Sequence, residues 1–352
     1  MAAIRIGVVG VGFGTTVHIP AFQSEGIEVV AVCARRPERA NEAAERFGIE
    51  GVYTDYAEML AHPGLDAVSI VTQAGLHHEM ALAALDAGKH VLCEKPFAAT
   101  LEQAQELAAK ARASGRTAMI AHEFRYSPSR ATIKELIDQG FIGEPRHLSV
   151  SLFMSFRRPP GAAPRPVLPG SSGMLGGLGS HYIDCMRDWF GDITSVAGSL
   201  RGQPVEGASL VDANSSFAFD AEFASGAWGT MACSFASPFG PGASVQIYGS
   251  EGSLQTTQRG ANPDVNGIVL GARTDSNEAL VEMPIPERLR LFVDDRDDRL
   301  AAFRVLTQRF VHGVEHGSSP APNFDDGLAC QRVMAAVQES SVSGKRVTVS
   351  RD

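Results

Sequence analysis

The chain opens with short apolar runs alternating with segments whose apolar residues recur every three to four positions. Ile4–Val9, Val29–Cys33, Ala67–Val71, His90–Cys93 and Ala118–Ala121 are largely apolar stretches of strand length. Between them, Pro37–Phe47, Tyr56–Ala61, His78–Ala87 and Leu101–Ser114 carry helical periodicity. Continuously apolar strands are buried on both faces, and strands that alternate with helices build a mostly parallel, doubly wound sheet. Thr100-Leu101-Glu102-Gln103 predicts an N-cap with Gln103 at the capping-box position. A helix over Ser129–Gln139 is expected to end at Gly140. From about Arg146 the period changes to two. His147–Phe153, Val196–Arg201, Ser215–Phe219, Gly226–Cys233 and Ala243–Tyr248 alternate apolar with polar positions. That pattern predicts one large, mostly antiparallel open sheet with a solvated or oligomer-forming face. Leu300, Phe303, Leu306, Phe310 and Val314 share one face of a late helix. The fold class is α/β, divided into residues 1–122 and 123–352.

Composition narrows the partners. The net charge of −9 argues against nucleic acid and against an anionic membrane surface, both of which need a basic face. No apolar run reaches the ~20 residues of a membrane-spanning helix. The five cysteines are scattered and form no Cys-x-x-Cys pair, which reads as a reducing cytoplasm without structural zinc or any other metal site. The first strand begins too early for a signal peptide. The Asp294–Asp298 run reads as a solvated helix start.

The chemistry begins after the first strand. Gly10-Val11-Gly12-Phe13-Gly14-Thr15 leads into a helical segment near Thr16. Strand, glycine turn and helix in that order mark a dinucleotide-binding βαβ unit, the Rossmann arrangement. The first glycine allows the tight turn, the second lets backbone approach a pyrophosphate, and helix N–H groups face the phosphates. Thr15 occupies the position usually held by Gly or Ala, with Gly14 beside it. The second strand ends in Ala34-Arg35-Arg36-Pro37, with no acid to bind the ribose 2′-hydroxyl of NAD. Arg35 and Arg36 could instead pair with a 2′-phosphate, so NADP is favoured over NAD. A solvated arginine pair is the plainer alternative.

Two further clusters carry candidate catalytic groups. Glu94-Lys95-Pro96 follows the strand His90–Cys93. Ligands of open α/β sheets sit beyond the carboxyl ends of strands, so Lys95 would reach a crevice there and act on a substrate hydroxyl. The alternative is a surface lysine before a proline turn. After a glycine-rich run from Gly173 to Gly179 come His181 and Asp184, three positions apart and therefore on one helix face. His181 suits a general base or a hydroxyl ligand, and the alternative is a pair that only positions the helix.

Together these clusters resemble the glucose–fructose oxidoreductase/inositol dehydrogenase family, Gfo/Idh/MocA, over nearly the whole chain. The resemblance runs through the Gly10–Thr15 turn, the Thr72-Gln73-Ala74-Gly75-Leu76-His77 segment and Ala87–Pro96. It continues through Glu123-Phe124-Arg125-Tyr126-Ser127-Pro128, the His181–Asp184 helix and the tail Ser340–Val349. It implies a Rossmann domain followed by an α/β substrate-binding domain that also mediates oligomerisation as a homodimer or homotetramer. It implies NAD(P)-dependent hydride transfer to or from sugars, cyclitols or related polyols. On these matches Lys95 and His181 are the expected catalytic residues. Gly10, Gly12, Phe13, Gly14, Thr15, Arg35, Arg36, Thr72, His77, Glu94 and Lys95 are expected at the cofactor, and Lys95, Arg125, His181 and Asp184 at the substrate. Arg157, Arg158 and Arg165 leave an acidic sugar open as substrate. The chain departs from the family at Gly177, where an Asp is common four residues before the histidine, and at Gln73 and Ala74. A redox-sensing NADP-binding protein or partner subunit, and an imine or enone reductase similar to biliverdin reductase, are the alternative functions.

Overall fold

Six parallel strands form the first sheet of the computed structural model, which describes residues 4–154, 173–202, 214–262, 267–276, 279–290, 294 and 296–350. They are β1 (Arg5–Val9), β2 (Glu28–Cys33), β3 (Gly51–Tyr53), β4 (Ala67–Ile70), β5 (His90–Cys93) and β6 (Ala118–Ile120). Their order is β3-β2-β1-β4-β5-β6, so the winding reverses between β1 and β4 and opens a crevice beyond their carboxyl ends. Helices α1 (Ile19–Ser24), α2 (Pro37–Phe47), α3 (Tyr56–Leu60), α4 (Ala74–Asp86) and α5 (Leu101–Ser114) connect the strands. β3 is too short to show a pattern. α4 starts four residues earlier than expected, because its first turn (Ala74, His77) is buried by tertiary packing rather than by a periodic stripe. The expected cap of α5 is present. Thr100 accepts from the Gln103 N–H at 3.3 Å, while Gln103 Oε1 reaches back to the Ala99 N–H at 3.2 Å, one residue earlier than a standard capping box.

The second sheet has nine strands: β7 (Pro145–Phe153), β8 (Ile193–Arg201), β9 (Ser216–Phe223), β10 (Trp228–Ser234), β11 (Gly242–Gly249), β12 (Gly252–Gln258), β13 (Val269–Arg273), β14 (Val281–Met283) and β15 (Val347–Thr348). The order is β14-β13-β12-β11-β7-β10-β9-β8-β15, antiparallel except for the β7–β10 pair. Strict alternation on β7 buries Leu148, Val150 and Leu152 in one cluster with Ile133 of α6 (Pro128–Asp138) and Ile183 and Trp189 of α7 (Ser180–Phe190). Arg157, Arg158 and Arg165 lie outside the described residues.

The chain divides into two compact units, Met1–Glu123 with Asp294–Leu328, and Phe124–Val293 with Ala329–Asp352. The first unit thus joins the N-terminal residues through Glu123 with a later stretch, Asp294–Leu328. Helix α8 (Leu300–His316) belongs with the first unit, where its stripe of Phe303, Leu306 and Phe310 is fully buried and Phe303 packs against Phe22 of α1. The boundary at Leu328 falls inside α9 (Phe324–Ser343). Two acids of the run before α8 are clasped, while Asp298 is exposed as a solvated helix start requires. Asp294 accepts from Arg296 at 2.5 and 2.8 Å, and Asp297 accepts from Arg299 at 2.6 and 2.7 Å. No helix among the described residues is long and apolar enough to cross a membrane.

Candidate active site

Backbone geometry at the end of β1 builds the first half of the site. Gly10 has φ +102°, and a Cβ there would stand 2.3 Å from the Val71 carbonyl oxygen. Only glycine fits. Its N–H donates to the Cys33 carbonyl at 2.9 Å, which ties the turn to the end of β2. A Cβ at Gly12 would meet nothing within 4 Å, so this face of the turn is open to a ligand. The helix that follows begins with a wide turn, Gly14–His18, closed by the Ile19 N–H on the Gly14 carbonyl. Thr15 is accommodated at the third motif position because its hydroxyl bonds back to the Val11 and Gly12 carbonyls, each at 3.0 Å. Gly14 takes over the close approach between helix and strand, since a Cβ there would lie 3.1 Å from Val8 Cγ1.

A cavity of about 560 Å³ lies over this turn. Of the residues expected at the cofactor, Gly10, Gly12, Arg35, Arg36 and Thr72 line it. Arg39, absent from the expected set, adds a third guanidinium, and Leu76 and Met80 add apolar wall. No carboxylate lines the cavity among the described residues. Arg36 and Arg39 touch only exposed acids of their own helix, Glu38 at 3.8 Å and Glu42 at 3.1 Å, and such exposed pairs are weak. Three cations, a glycine turn and an apolar slot suit an anionic dinucleotide.

Several expected cofactor residues act differently. Phe13 lies under the Arg299 guanidinium at 4.6 Å and edge-on to His18 at 5.5 Å. His77 is fully buried, with ring nitrogens on the Pro96 and Thr72 carbonyls at 2.9 and 3.2 Å. It braces the backbone at Thr72 and at the Lys95 turn, and its ring is closed to a nucleotide. Burial holds its pKa below the ordinary value. Glu94 is likewise 7% exposed and turned inward. One oxygen meets His18 Nε2 at 3.0 Å and the other accepts from the Lys95 N–H at 3.1 Å. Lys95 itself follows β5 and is half-buried.

In the second unit, His181 lies in the first turn of α7, 2% exposed and stacked on Phe124 at 3.8 Å. Asp184 does not stand free for a substrate. It is fully buried and takes Arg125 in a bidentate pair at 2.5 and 2.6 Å, with Asp188 on the same guanidinium at 3.2 Å. Arg125 and Asp184 were expected as substrate ligands, and each instead satisfies the other. Spacing showed that Asp184 shares a face with His181, but it could not show which cation meets it. Arg130, also unanticipated, is buried between the rings of Phe124 and Tyr182 at 4.7 and 4.6 Å. Among the described residues, a Cβ at Gly177 would meet Met174 Cε, at 3.8 Å.

Comparison with known proteins agrees with this architecture. Residues 4–122 match the Gfo/Idh/MocA model described as an oxidoreductase family with an NAD-binding Rossmann fold, and residues 131–255 match the family's C-terminal domain. The chain is 32% identical to a scyllo-inositol 2-dehydrogenase (NAD(+)) of Bacillus subtilis, over 71% of this chain and 73% of that protein. It is 29% identical to a D-xylose 1-dehydrogenase (NADP(+)) of Haloferax volcanii, over 98% and 99%. The crystal structure of an NAD-binding oxidoreductase from Klebsiella pneumoniae superposes with a TM-score of 0.87 at 26% identity, covering all of both chains. The two matched segments and the inositol dehydrogenase relative place this chain in the Gfo/Idh/MocA family of NAD(P)-dependent oxidoreductases.

Proposed function

We propose that the protein is an NADP-preferring oxidoreductase that moves a hydride between the nicotinamide and a secondary hydroxyl or carbonyl of a sugar, cyclitol or related polyol. The carrying observation is the cavity over Gly10 and Gly12, with three arginines and no carboxylate among its described lining residues. A nicotinamide dinucleotide held over the Gly10–Gly14 turn would supply the hydride acceptor or donor. The chain's own residues do the rest. The Gly10–Gly14 turn offers backbone N–H groups to the pyrophosphate, and Arg35 or Arg36 meets the 2′-phosphate. Lys95 and His181 handle the hydroxyl proton, as the family resemblance implies. Asp184 orients α7 through Arg125 rather than binding substrate. The five cysteines are buried and none forms a disulfide, which suits a cytoplasmic enzyme.

Calorimetric titration should show NADP(H) binding more tightly than NAD(H). Arg35→Ala should cut that preference by about one to two orders of magnitude, the effect of losing a charged hydrogen bond of about 1.5–3 kcal/mol. Equal affinities in the unaltered protein would overturn the NADP assignment. Cofactor binding without turnover across a broad panel of polyols and sugars would point instead to a sensor.

The second unit is also assigned an oligomer contact. On one face of the nine-stranded sheet, half-exposed Trp228 lies 4.0 Å from the His147 ring, and Tyr248 stacks at 5.9 Å on its other side. Exposed aromatic clusters of this kind are enriched at subunit interfaces. Light scattering should report a homodimer or homotetramer, and Trp228→Lys should shift it toward monomer.

A further inference from the structure

Beneath the Lys95 turn lies a buried set of titratable groups that hydride transfer as described above does not use. β5 and β6 run parallel and adjacent, with Cys93 opposite Ile120 and the Ala121 N–H donating to the Cys93 carbonyl at 2.8 Å. Glu94 and Glu123 follow the carboxyl ends of these neighbouring strands, and both are buried, at 7% and 3% exposure. His18 Nε2 meets one oxygen of Glu94, and His18 Nδ1 meets Ser69 Oγ at 2.8 Å. The imidazole is fully buried, with Phe303 at 4.2 Å and Phe22 at 6.0 Å. A serine, an imidazole and a carboxylate in line also describe an acyl-transfer nucleophile. Here Ser69 and His18 are both fully buried, so no acyl substrate reaches the hydroxyl, and the set acts inward on the Lys95 turn.

Two buried carboxyls that follow adjacent strands, with the charge on one acting on the other, cannot both ionise without a large cost. The contacts decide which one does. Glu94 accepts from His18 and from the Lys95 N–H, and both bonds favour its charged form. Burial alone would raise its pKa, but the bond and charge of His18, then the charges of Lys95 and His77, hold it below the ordinary value. Glu123 is pushed up to about 8, first by burial and then by the charge on Glu94, against the opposing pull of Lys95 and Arg299.

We propose that Glu94 and Glu123 form a carboxyl pair holding one proton beside Lys95, with His18 as the positioning residue that keeps the charge on Glu94. The pair stays at a single negative charge near neutral pH while Lys95 exchanges its proton with the substrate hydroxyl. This last clause rests on the role proposed above for Lys95, whereas the pair does not. In alcohol oxidation the hydride would leave with its electron pair for the oxidised nicotinamide, the hydroxyl proton passes to the neutral Lys95 amine and then to solvent, and neither carboxyl is consumed. Ionisation of Glu123 would place a second negative charge in the buried site beneath the Lys95 turn.

The test reads stability and infrared absorption as well as rate. The folded-state pKa of Glu123 lies above its unfolded value. Its stabilising contribution is therefore present at low pH and is lost as pH rises toward about 8. Glu123→Gln, a neutral isostere of the acid, has no such loss. Its Tm relative to the unaltered protein should climb between about pH 5 and pH 8 by roughly 5–10 °C and then level off. A buried carboxylic-acid band should be present near neutral pH and absent in Glu123→Gln. Glu94→Gln should move the Glu123 transition to lower pH by about one unit or more, a coupling that a merely structural glutamate would not show. Identical pH dependence in Glu123→Gln and the unaltered protein, or an unmoved transition in Glu94→Gln, would overturn the pair. If Glu94→Gln does not fold, the band decides alone: it must vanish around pH 8 in the unaltered protein, and its absence at about pH 6 or persistence to about pH 10 would refute the proposal. If the pair is found but Lys95→Ala keeps full turnover, the pair stands and the catalytic role of Lys95 falls.

Discussion

Lys95→Ala is expected to lower turnover by about 10²–10⁴ while cofactor affinity changes little, the usual scale for losing an acid–base group. The side chain can be removed without dismantling the turn. The contact between turn and core runs from the Lys95 backbone N–H to Glu94 Oε2 at 3.1 Å, and alanine keeps that N–H. The Pro96 carbonyl remains bonded to His77. Lys95 is also absent from the lining of the arginine-rich cavity, so the contacts assigned to the nucleotide survive the substitution. Steady-state rates on any turned-over polyol, set beside calorimetric titration of the cofactor, separate the two effects. A parallel collapse of binding and turnover would make Lys95 a cofactor anchor instead.

Asp184→Ala is expected to destabilise the second unit by about 3–5 kcal/mol, the range for removing one partner of a buried ion pair. Asp184 is fully buried and Arg125 is 8% exposed, so the guanidinium cannot turn to water for compensation. Asp188 at 3.2 Å retains part of the charge balance, which argues for the lower end of the range. At roughly 2–4 °C per kcal/mol, the Tm should fall by about 10 °C. The double variant Arg125→Met/Asp184→Leu should lose less than the sum of its single changes, because neither half of the Arg125–Asp184 pair is left buried without the other. Urea denaturation of the four proteins gives the cycle. Strict additivity would show that the pair carries no coupling.

The two predictions rest on different kinds of information. Lys95 could be found from order along the chain alone: a short apolar strand, then Glu-Lys-Pro, in a sheet whose ligands gather at strand ends. The Gly10–Thr15 turn and the arginines after β2 were legible for the same reason, since local backbone demands and side-chain charge are written in consecutive residues. The six-stranded and nine-stranded sheets were legible because continuous apolar runs and strict alternation reflect burial on two faces or one. The three-residue strand β3 was not legible, nor were β12, β13, β14, β15 and α9, which are short, end in glycine or polar residues, or carry a weak apolar stripe.

What the chain order could not state was which polar side chains meet. Asp184 and Arg125 are 59 positions apart, His18 and Glu94 are 76 apart, and their pairing depends on helices and strand ends brought together by the core. His77, Glu94 and Asp184 carry polar groups suited to ligands, but burial turned them toward the protein, because a buried charge or imidazole must find its partner inside. Glu123 shows the same limit from the other side. Its residue type is ordinary, and only the adjacency of β5 and β6, which buries it with Glu94 beyond the two strand ends, makes it an acid that keeps its proton. The sequence by itself determined the fold class, the nucleotide turn and the family, all of which follow from local pattern. Tertiary structure alone decided which charged residues line the cavity over the glycine turn and which pair inside the protein, because that choice depends on burial and on partners distant in the chain.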